Sequence, residues 1–180
     1  MSELPPGVVI RDLEVHDDPR GALSEIFRED WRVGPPAVQW NYVLSLAGSL
    51  RGVHVHPRHT DYLTLVAGRM LLGLNDVRRS SARFGQGLVV ELRGDRLQTV
   101  HIPPGVAHAF YFPEGGVLMN GVSHHWSPDD EIACRWDSPE LGLDWSVVDP
   151  ILSAKDAAAG GYAEMVAGFA AREVAPSAAP

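Results

Sequence analysis

Five of the eight histidines lie in two short stretches, His54, His56 and His59 within Arg51–His59 (RGVHVHPRH), and His101 and His108 within His101–His108 (HIPPGVAH). Imidazole titrates near neutral pH and binds transition metals, so a convergent group of such rings suits either proton transfer or metal ligation. On a β-strand, residues two apart share a face, which turns His54 and His56 the same way and Val53 and Val55 the other. The plain alternative is a pair of surface histidines on a polar sheet face. Other chemistries leave no mark. The chain has no Gly-rich phosphate loop ending in Lys-Ser/Thr, no dinucleotide fingerprint, no helical HExxH and no nucleophile elbow. Cys134 is the only cysteine, which excludes an internal disulfide framework and any multi-thiolate metal site. Without a base beside it in sequence, Cys134 reads as a small buried hydrophobe.

The elements that must position these rings read as β. Glycine (18) and proline (14) cut the first 150 residues into pieces too short for many helices. Val38, Trp40, Tyr42 and Leu44 alternate with Gln39, Asn41 and Ser45, the period of a half-buried strand. Leu50–His56, Tyr62–Val66, Met70–Leu74, Gly87–Leu92, Leu97–Ile102, Ala107–Phe112 and Val117–His124 continue the series, with turns expected at sites such as Asn75-Asp76 and Pro103-Pro104-Gly105. About eight short strands at this spacing predict an all-β jelly roll or small barrel over residues 1–152. A helical segment is expected over 153–172, with its helix from Lys155 to about Arg172, weakened by Gly160-Gly161 and packed over Trp136 and Trp145. Residues 173–180 read as a disordered tail.

With 180 residues the chain closes one core. A net charge of −8 lacks the basic stripe that selects phosphate backbones, which argues against nucleic-acid binding. Met1–Arg11 carries an early acid and two prolines where a signal peptide needs a basic start, and no segment is apolar enough to span a bilayer. These features, with the lone cysteine, predict a soluble cytoplasmic protein without membrane partners.

His54-x-His56, Asp61, Gly68 and Pro103-x-Gly105-x-x-His108 are spaced in a way that resembles the two signature motifs of the cupin superfamily. These are jelly-roll barrels whose strands gather such residues at one interior point. That resemblance implies His54, His56, Asp61 and His108 as candidate ligands of a divalent transition metal.

A closer resemblance runs over about residues 7 to 158. Arg20-Gly21 with Glu25, Gln39-x-Asn41, Leu50-Arg51-Gly52-x-His54, Arg83-Phe84-Gly85, Pro104-Gly105-x-Ala107-His108-x-Phe110, Pro128-x-x-Glu131, Trp136-x-x-Pro139-x-Leu141-Gly142-x-x-Trp145 and Ser153-Ala154-Lys155-Asp156 occur in the order seen in dTDP-4-dehydrorhamnose 3,5-epimerases. The chain is identified as a divergent member of that cupin-fold family. The resemblance implies a cofactor-free isomerase that removes a proton beside the C4 ketone of a dTDP-4-keto-6-deoxyhexose and returns it to the opposite face. It implies His54 as general base and Asp156 as its partner. Arg51 would meet the diphosphate, Trp126 would stack on the base, and Arg20, Glu25, Gln39, Asn41, His108, Asn120, Glu131 and Lys155 match positions that contact nucleotide or sugar or line the site. The family's strand-exchanged dimers, in which partner residues complete each site, imply a homodimer.

Two positions depart from the family. Its enolate-stabilising lysine falls at Asp61, and its proton-returning tyrosine falls at Asn120, a neutral amide that cannot act as a general acid. His124, His125, Tyr111 and Tyr62 are candidate replacement donors. The lost tyrosine favours epimerisation at C3 alone over both C3 and C5. The gained His56 and Asp61 open a second reading, a metal-dependent cupin enzyme of different reaction. The lost acid and cation open a third, a catalytically inactive sugar-nucleotide-binding relative.

Overall fold

The computed structural model describes residues 3–173. The strands are β1 (Val9–Asp12), β2 (His16–Asp18), β3 (Gly21–Leu23), β4 (Gln39–Ser45), β5 (Ser49–Val55), β6 (Asp61–Asp76), β7 (Gly87–Arg93), β8 (Gln98–Ile102), β9 (Val106–Phe112), β10 (Gly116–Val122) and β11 (Ile132–Ala133), followed by helices α1 (Ala154–Ala157) and α2 (Tyr162–Ala170). Nine strands form one antiparallel sheet folded about β6, and β2 pairs only with β3. The first half of β6 pairs with β8 and β10, which carry β1 and β4 outside them. The second half pairs with β7 and β9, and β9 carries β5 and β11. Two layers result, closing as the jelly roll that the strand spacing predicts and of the cupin type that the motif resemblance implies.

Where two strands were expected, at Tyr62–Val66 and Met70–Leu74, one 16-residue strand runs through. The join is a bulge. Val117 pairs with Ala67 and Leu118 with Leu65, so Val66 is an extra residue. One extra residue reverses side-chain parity, and the same interior core therefore takes Leu63 and Leu65 before the bulge but Met70, Leu72 and Leu74 after it. Gly68, at φ +84°, permits the bend, and a Cβ there would run into the carbonyl oxygen of Gly115. Asn75-Asp76 is likewise the buried end of β6 and not a turn, with Asn75 donating to the Leu141 carbonyl at 2.9 Å.

β9 shows how the barrel is filled. Val106, Phe110 and Phe112 join the interior core, while Ala107 and Ala109 join a second core on the outer face. That outer core holds Cys134, Trp145, Met165, Val166 and Phe169, with Trp136 packed against it. Both indoles thus share this outer core with the buried side of α2. The helix itself differs from the expected Lys155–Arg172, because Gly160-Gly161 divides it and Gly161 caps α2. Residues 174–180, most of the expected tail, lie outside the described residues.

β4 corrects the sequence reading in another way. The alternation makes a strand, but the apolar side faces out: Trp40 is 38%, Tyr42 65% and Leu44 60% exposed, whereas Gln39, Asn41 and Val43 are the half-buried side. Among the described residues β4 pairs only with β10 and is an edge strand, and on its inner side Gln39 bonds to Asn41 while Val43 packs against the interior core.

Gly68→Ala should lower stability by roughly 1–3 kcal/mol, read as a shifted urea midpoint at constant slope. His101 generates a pH prediction. It donates from Nδ1 to the Gly7 carbonyl at 2.9 Å, its Nε2 is buried without a partner among the described residues, and burial holds its pKa below the usual histidine value. A depressed pKa contributes stability above the unfolded value of about 6.5 that is lost as pH falls below it. Acidification from about pH 7.5 to 5 should therefore destabilise the wild type more than His101→Asn, measured as the difference in melting temperature.

Candidate active site

β5 and β9 set the site. A register shift between Arg51 and His54 brings both side chains onto the inner side of β5, while Leu50, Val53 and Val55 pack into the outer core. Both line a cavity of about 430 Å³, together with Val43, Phe110, Asn120, Glu131, Lys155 and Asp156. His54 Nε2 lies 2.7 Å from Asp156 Oδ1 and 3.6 Å from Glu131 Oε1. Asp156 is held in turn by α1, where the Ser153 hydroxyl accepts from the Asp156 backbone N–H at 3.1 Å. Burial pulls the Asp156 carboxyl upward, but the hydrogen bond and charge of His54 outweigh it and keep the group below the usual carboxylate range. A carboxylate only accepts, so it fixes the hydrogen on Nε2 and leaves the lone pair on Nδ1. A neutral imidazole with its tautomer fixed by a buried anion has the form of a general base.

A hydrogen-bonded chain runs along the rim. Gln39 donates to Asn41 at 2.9 Å and accepts from the Trp126 backbone N–H at 3.0 Å. The Trp126 indole donates to Glu131 Oε2 at 3.2 Å, and Lys155 pairs with Glu131 Oε1. Trp126 is half exposed at this rim. Arg51 donates to the Ser45 hydroxyl at 3.0 Å and the Leu44 carbonyl at 3.2 Å.

Beneath the cavity lies a second titratable group, in which His56, His59 and His108 surround Asp61. Their Nε2 atoms stand 4.0, 3.5 and 3.7 Å from Asp61 Oδ2. Asp130 closes the far side, its carbonyl accepting from His56 Nδ1 and its carboxylate from His59 Nδ1, each at 2.9 Å. Burial pushes His56 down to about 3 and depresses His108. His59 is raised because Asp61 and Asp130 outweigh its burial, and Asp61 is lowered because the three rings outweigh its own. Asn120 connects the two groups. It lines the cavity, and its amide nitrogen lies 3.5 Å from Asp61 Oδ1.

Of the residues singled out in the sequence, the fold gathers Arg51, His54, Asn120, Glu131, Lys155 and Asp156 around the cavity and ties Gln39, Asn41 and Trp126 to its rim. His108 sits in the buried group below. Arg20 and Glu25 are elsewhere in a single chain. Arg20 pairs with Asp18 at 2.6 Å at the turn of the β2–β3 hairpin, and Glu25 pairs with Arg28 at 3.1 Å beside another concavity. The quartet expected from the cupin motif is corrected in one member, since His54 turns to Asp156 and His59 takes its place beside His56, Asp61 and His108. The reason is local: β5 ends at Val55, so His56 leaves the strand before Pro57 and bends toward Asp130. His59 and Asp130 were missed as site residues. The only sequence signals were a third histidine in RGVHVHPRH and an acid next to Glu131. Of the candidate proton donors, Tyr62 is buried with its hydroxyl on the Pro35 carbonyl and its pKa pushed up to about 12 by burial. Tyr111 packs against the outer core.

The comparisons point to one family. The family model described as dTDP-4-dehydrorhamnose 3,5-epimerase matches residues 3–164. A dTDP-4-dehydrorhamnose 3,5-epimerase of Pseudomonas aeruginosa is 31% identical over 160 residues, 84% of this chain and 88% of that protein. A dTDP-4-dehydro-6-deoxyglucose 3-epimerase of Streptomyces bikiniensis is 31% identical over 152 residues, 79% of this chain and 78% of that one. Among solved structures, the dTDP-6-deoxy-D-glucose-3,5-epimerase of Legionella pneumophila in complex with dTDP-4-keto-L-rhamnose superposes with a TM-score of 0.80 at 28% identity, covering 88% of this chain and 92% of that chain. The 3'-monoepimerase of Streptomyces bikiniensis in complex with dTDP-quinovose gives 0.82 at 30% identity, covering 91% and 88%. A cupin barrel that sets a carboxylate-steered histidine in an open cavity, matched over nearly its whole length, belongs to the dTDP-4-dehydrorhamnose 3,5-epimerase family.

Proposed function

We propose that the chain is a nucleotide-sugar epimerase acting on a dTDP-4-keto-6-deoxyhexose, at C3 in preference to both C3 and C5. The observation that carries this reading is the 2.7 Å pair between His54 and Asp156 at the wall of an open cavity. His54 Nδ1 takes the proton from the carbon beside the ketone, and Asp156 stabilises the imidazolium that forms. Such a proton transfer uses groups of the chain itself and requires no cofactor. Arg51 and Lys155 bring positive charge to the cavity edge, where a diphosphate is bound through its oxygens. Trp126 offers a ring for the nucleobase, with Gln39 holding its backbone and Asn41 in turn holding Gln39. Asn120 and Asp61 stand where the family's acid and cation would act, and among the described residues no tyrosine lines the cavity. This supports a single inversion over two. It is also what favours the second reading, a sugar-nucleotide-binding relative without turnover.

The active form is proposed to be a homodimer. The outward stripe of Trp40, Tyr42 and Leu44, continued by Val38 and Leu46, is an apolar patch on an edge strand, the feature that a second copy covers. A second copy also gives Arg20 and Glu25 on the arm before β4 a route to a cavity they do not reach in their own chain. A single buried thiol and a nucleotide-linked substrate suit the cytoplasm.

Incubation with dTDP-4-keto-6-deoxyglucose in deuterated water should place solvent deuterium at C3, followed by proton NMR. His54→Asn should slow the exchange by roughly 10²–10⁴-fold, and Asp156→Asn should slow it in the same direction. Absence of deuterium at both C3 and C5, or an unchanged rate in His54→Asn, refutes the epimerase; saturable dTDP-sugar binding without exchange establishes the non-catalytic reading. In sedimentation, the wild type should run as a dimer and Tyr42→Asp with Leu44→Asp as a monomer.

A further inference from the structure

The buried group below the cavity poses a problem of proton accounting. His56 and His108 each face a backbone carbonyl through Nδ1, at 2.9 Å to Asp130 and 3.1 Å to Val106, and His59 faces the Asp130 carboxylate at 2.9 Å. These oxygens only accept, so every Nδ1 carries its hydrogen. When all three rings are neutral, three Nε2 lone pairs converge on the carboxylate of Asp61 at 3.5 to 4.0 Å, and protonation of His59, which its two carboxylates favour, removes only one of them. His56, His59, Asp61 and His108 are each no more than 6% exposed, so water does not screen them. One added proton relieves one nitrogen–oxygen contact only, and even 3.5 Å is longer than a good N–H···O bond of about 2.7–3.2 Å.

A cation relieves all four. A tetrahedral ion bound at about 2.0–2.1 Å separates its ligand atoms by about 3.4 Å. The ligand atoms of His56, His59 and Asp61 all lie within 4.8 Å of one another, so the widest separation closes by up to about 1.4 Å to reach that geometry, and His108 Nε2 joins them from 3.7 Å off Asp61 Oδ2. Hydrogen bonds from the second ring nitrogen to a carbonyl or carboxylate are the outer support that orients ligating histidines. We infer that His56, His59, Asp61 and His108 form a closed site for one divalent transition ion, Zn²⁺ or a metal of similar ligand preference. Three imidazoles and a carboxylate favour such ions over Mg²⁺ or Ca²⁺. With four protein ligands and no opening to solvent it is a structural centre, joining the start of β6, the end of β5, β9 and the Asp130 turn. It is separate from His54, whose Nε2 is taken by Asp156.

The test is a titration of tag-free, chelator-treated full chain with Co²⁺ alone, read by the visible absorption of four-coordinate cobalt, and then with Zn²⁺ as competitor. The expected result is saturation at one ion per chain, displacement by Zn²⁺ but not by Mg²⁺, and a higher melting temperature of the loaded protein. His59→Gln should weaken binding at least about 100-fold, while His54→Gln leaves it unchanged. No saturable cobalt spectrum in the wild type up to about 1 mM overturns the inference, whatever the variants do. Loss of binding in His54→Gln with binding kept in His59→Gln overturns it too. Because the readout is metal uptake, its failure is independent of the deuterium-exchange result that tests the epimerase.

Discussion

The architecture of the site depends on one contact, between an imidazole in β5 and a carboxylate 102 residues later in α1. Neither group has the right form alone. A free imidazole samples both tautomers, and a buried carboxylate without a partner is costly in a medium that solvates charge poorly. Bringing them together requires the jelly roll to put β5 beside β9 and the outer core to dock the C-terminal segment on that sheet. Trp145, Met165 and Phe169 provide that docking, and Ser153 then orients the first turn. The packing below the helices therefore serves the chemistry above β5.

Much of the barrel was legible in the sequence because period-two alternation and Gly/Pro punctuation are local signals. What they could not reveal is which side of a strand meets the interior. Trp40, Tyr42 and Leu44 form the apolar side of β4, yet they point away from the single-chain core, and the side of Gln39, Asn41 and Val43 turns inward. The continuity of β6 was hidden for a related reason: Gly68 reads as a break when isolated and proves to be the bend within a bulged strand.

The site divides in the same way. His54 and Arg51 stand out by type and spacing, but Asp156 was reached only through a family pattern, because the periodicity of β5 says nothing about a helix so distant in the chain. Convergence of His59 with Asp61 required a turn after Pro57 and a partner at Asp130, 71 residues downstream. Spacing alone predicted the neighbouring ring, His54, in its place. The two groups, one open to the cavity and one sealed beneath it, divide a histidine-rich stretch between different environments a few residues apart.

The bulge in β6 has a consequence for how the molecule comes apart. Sandwiches whose layers share only loops can in principle loosen one layer at a time. Here a continuous backbone ladder crosses from one layer to the other, with β8 and β10 gripping one half of the same strand and β7 and β9 the other. Fraying either layer withdraws the template on which its opposite is built, so the barrel is expected to open as one cooperative unit, with its slowest-exchanging amides in that shared strand.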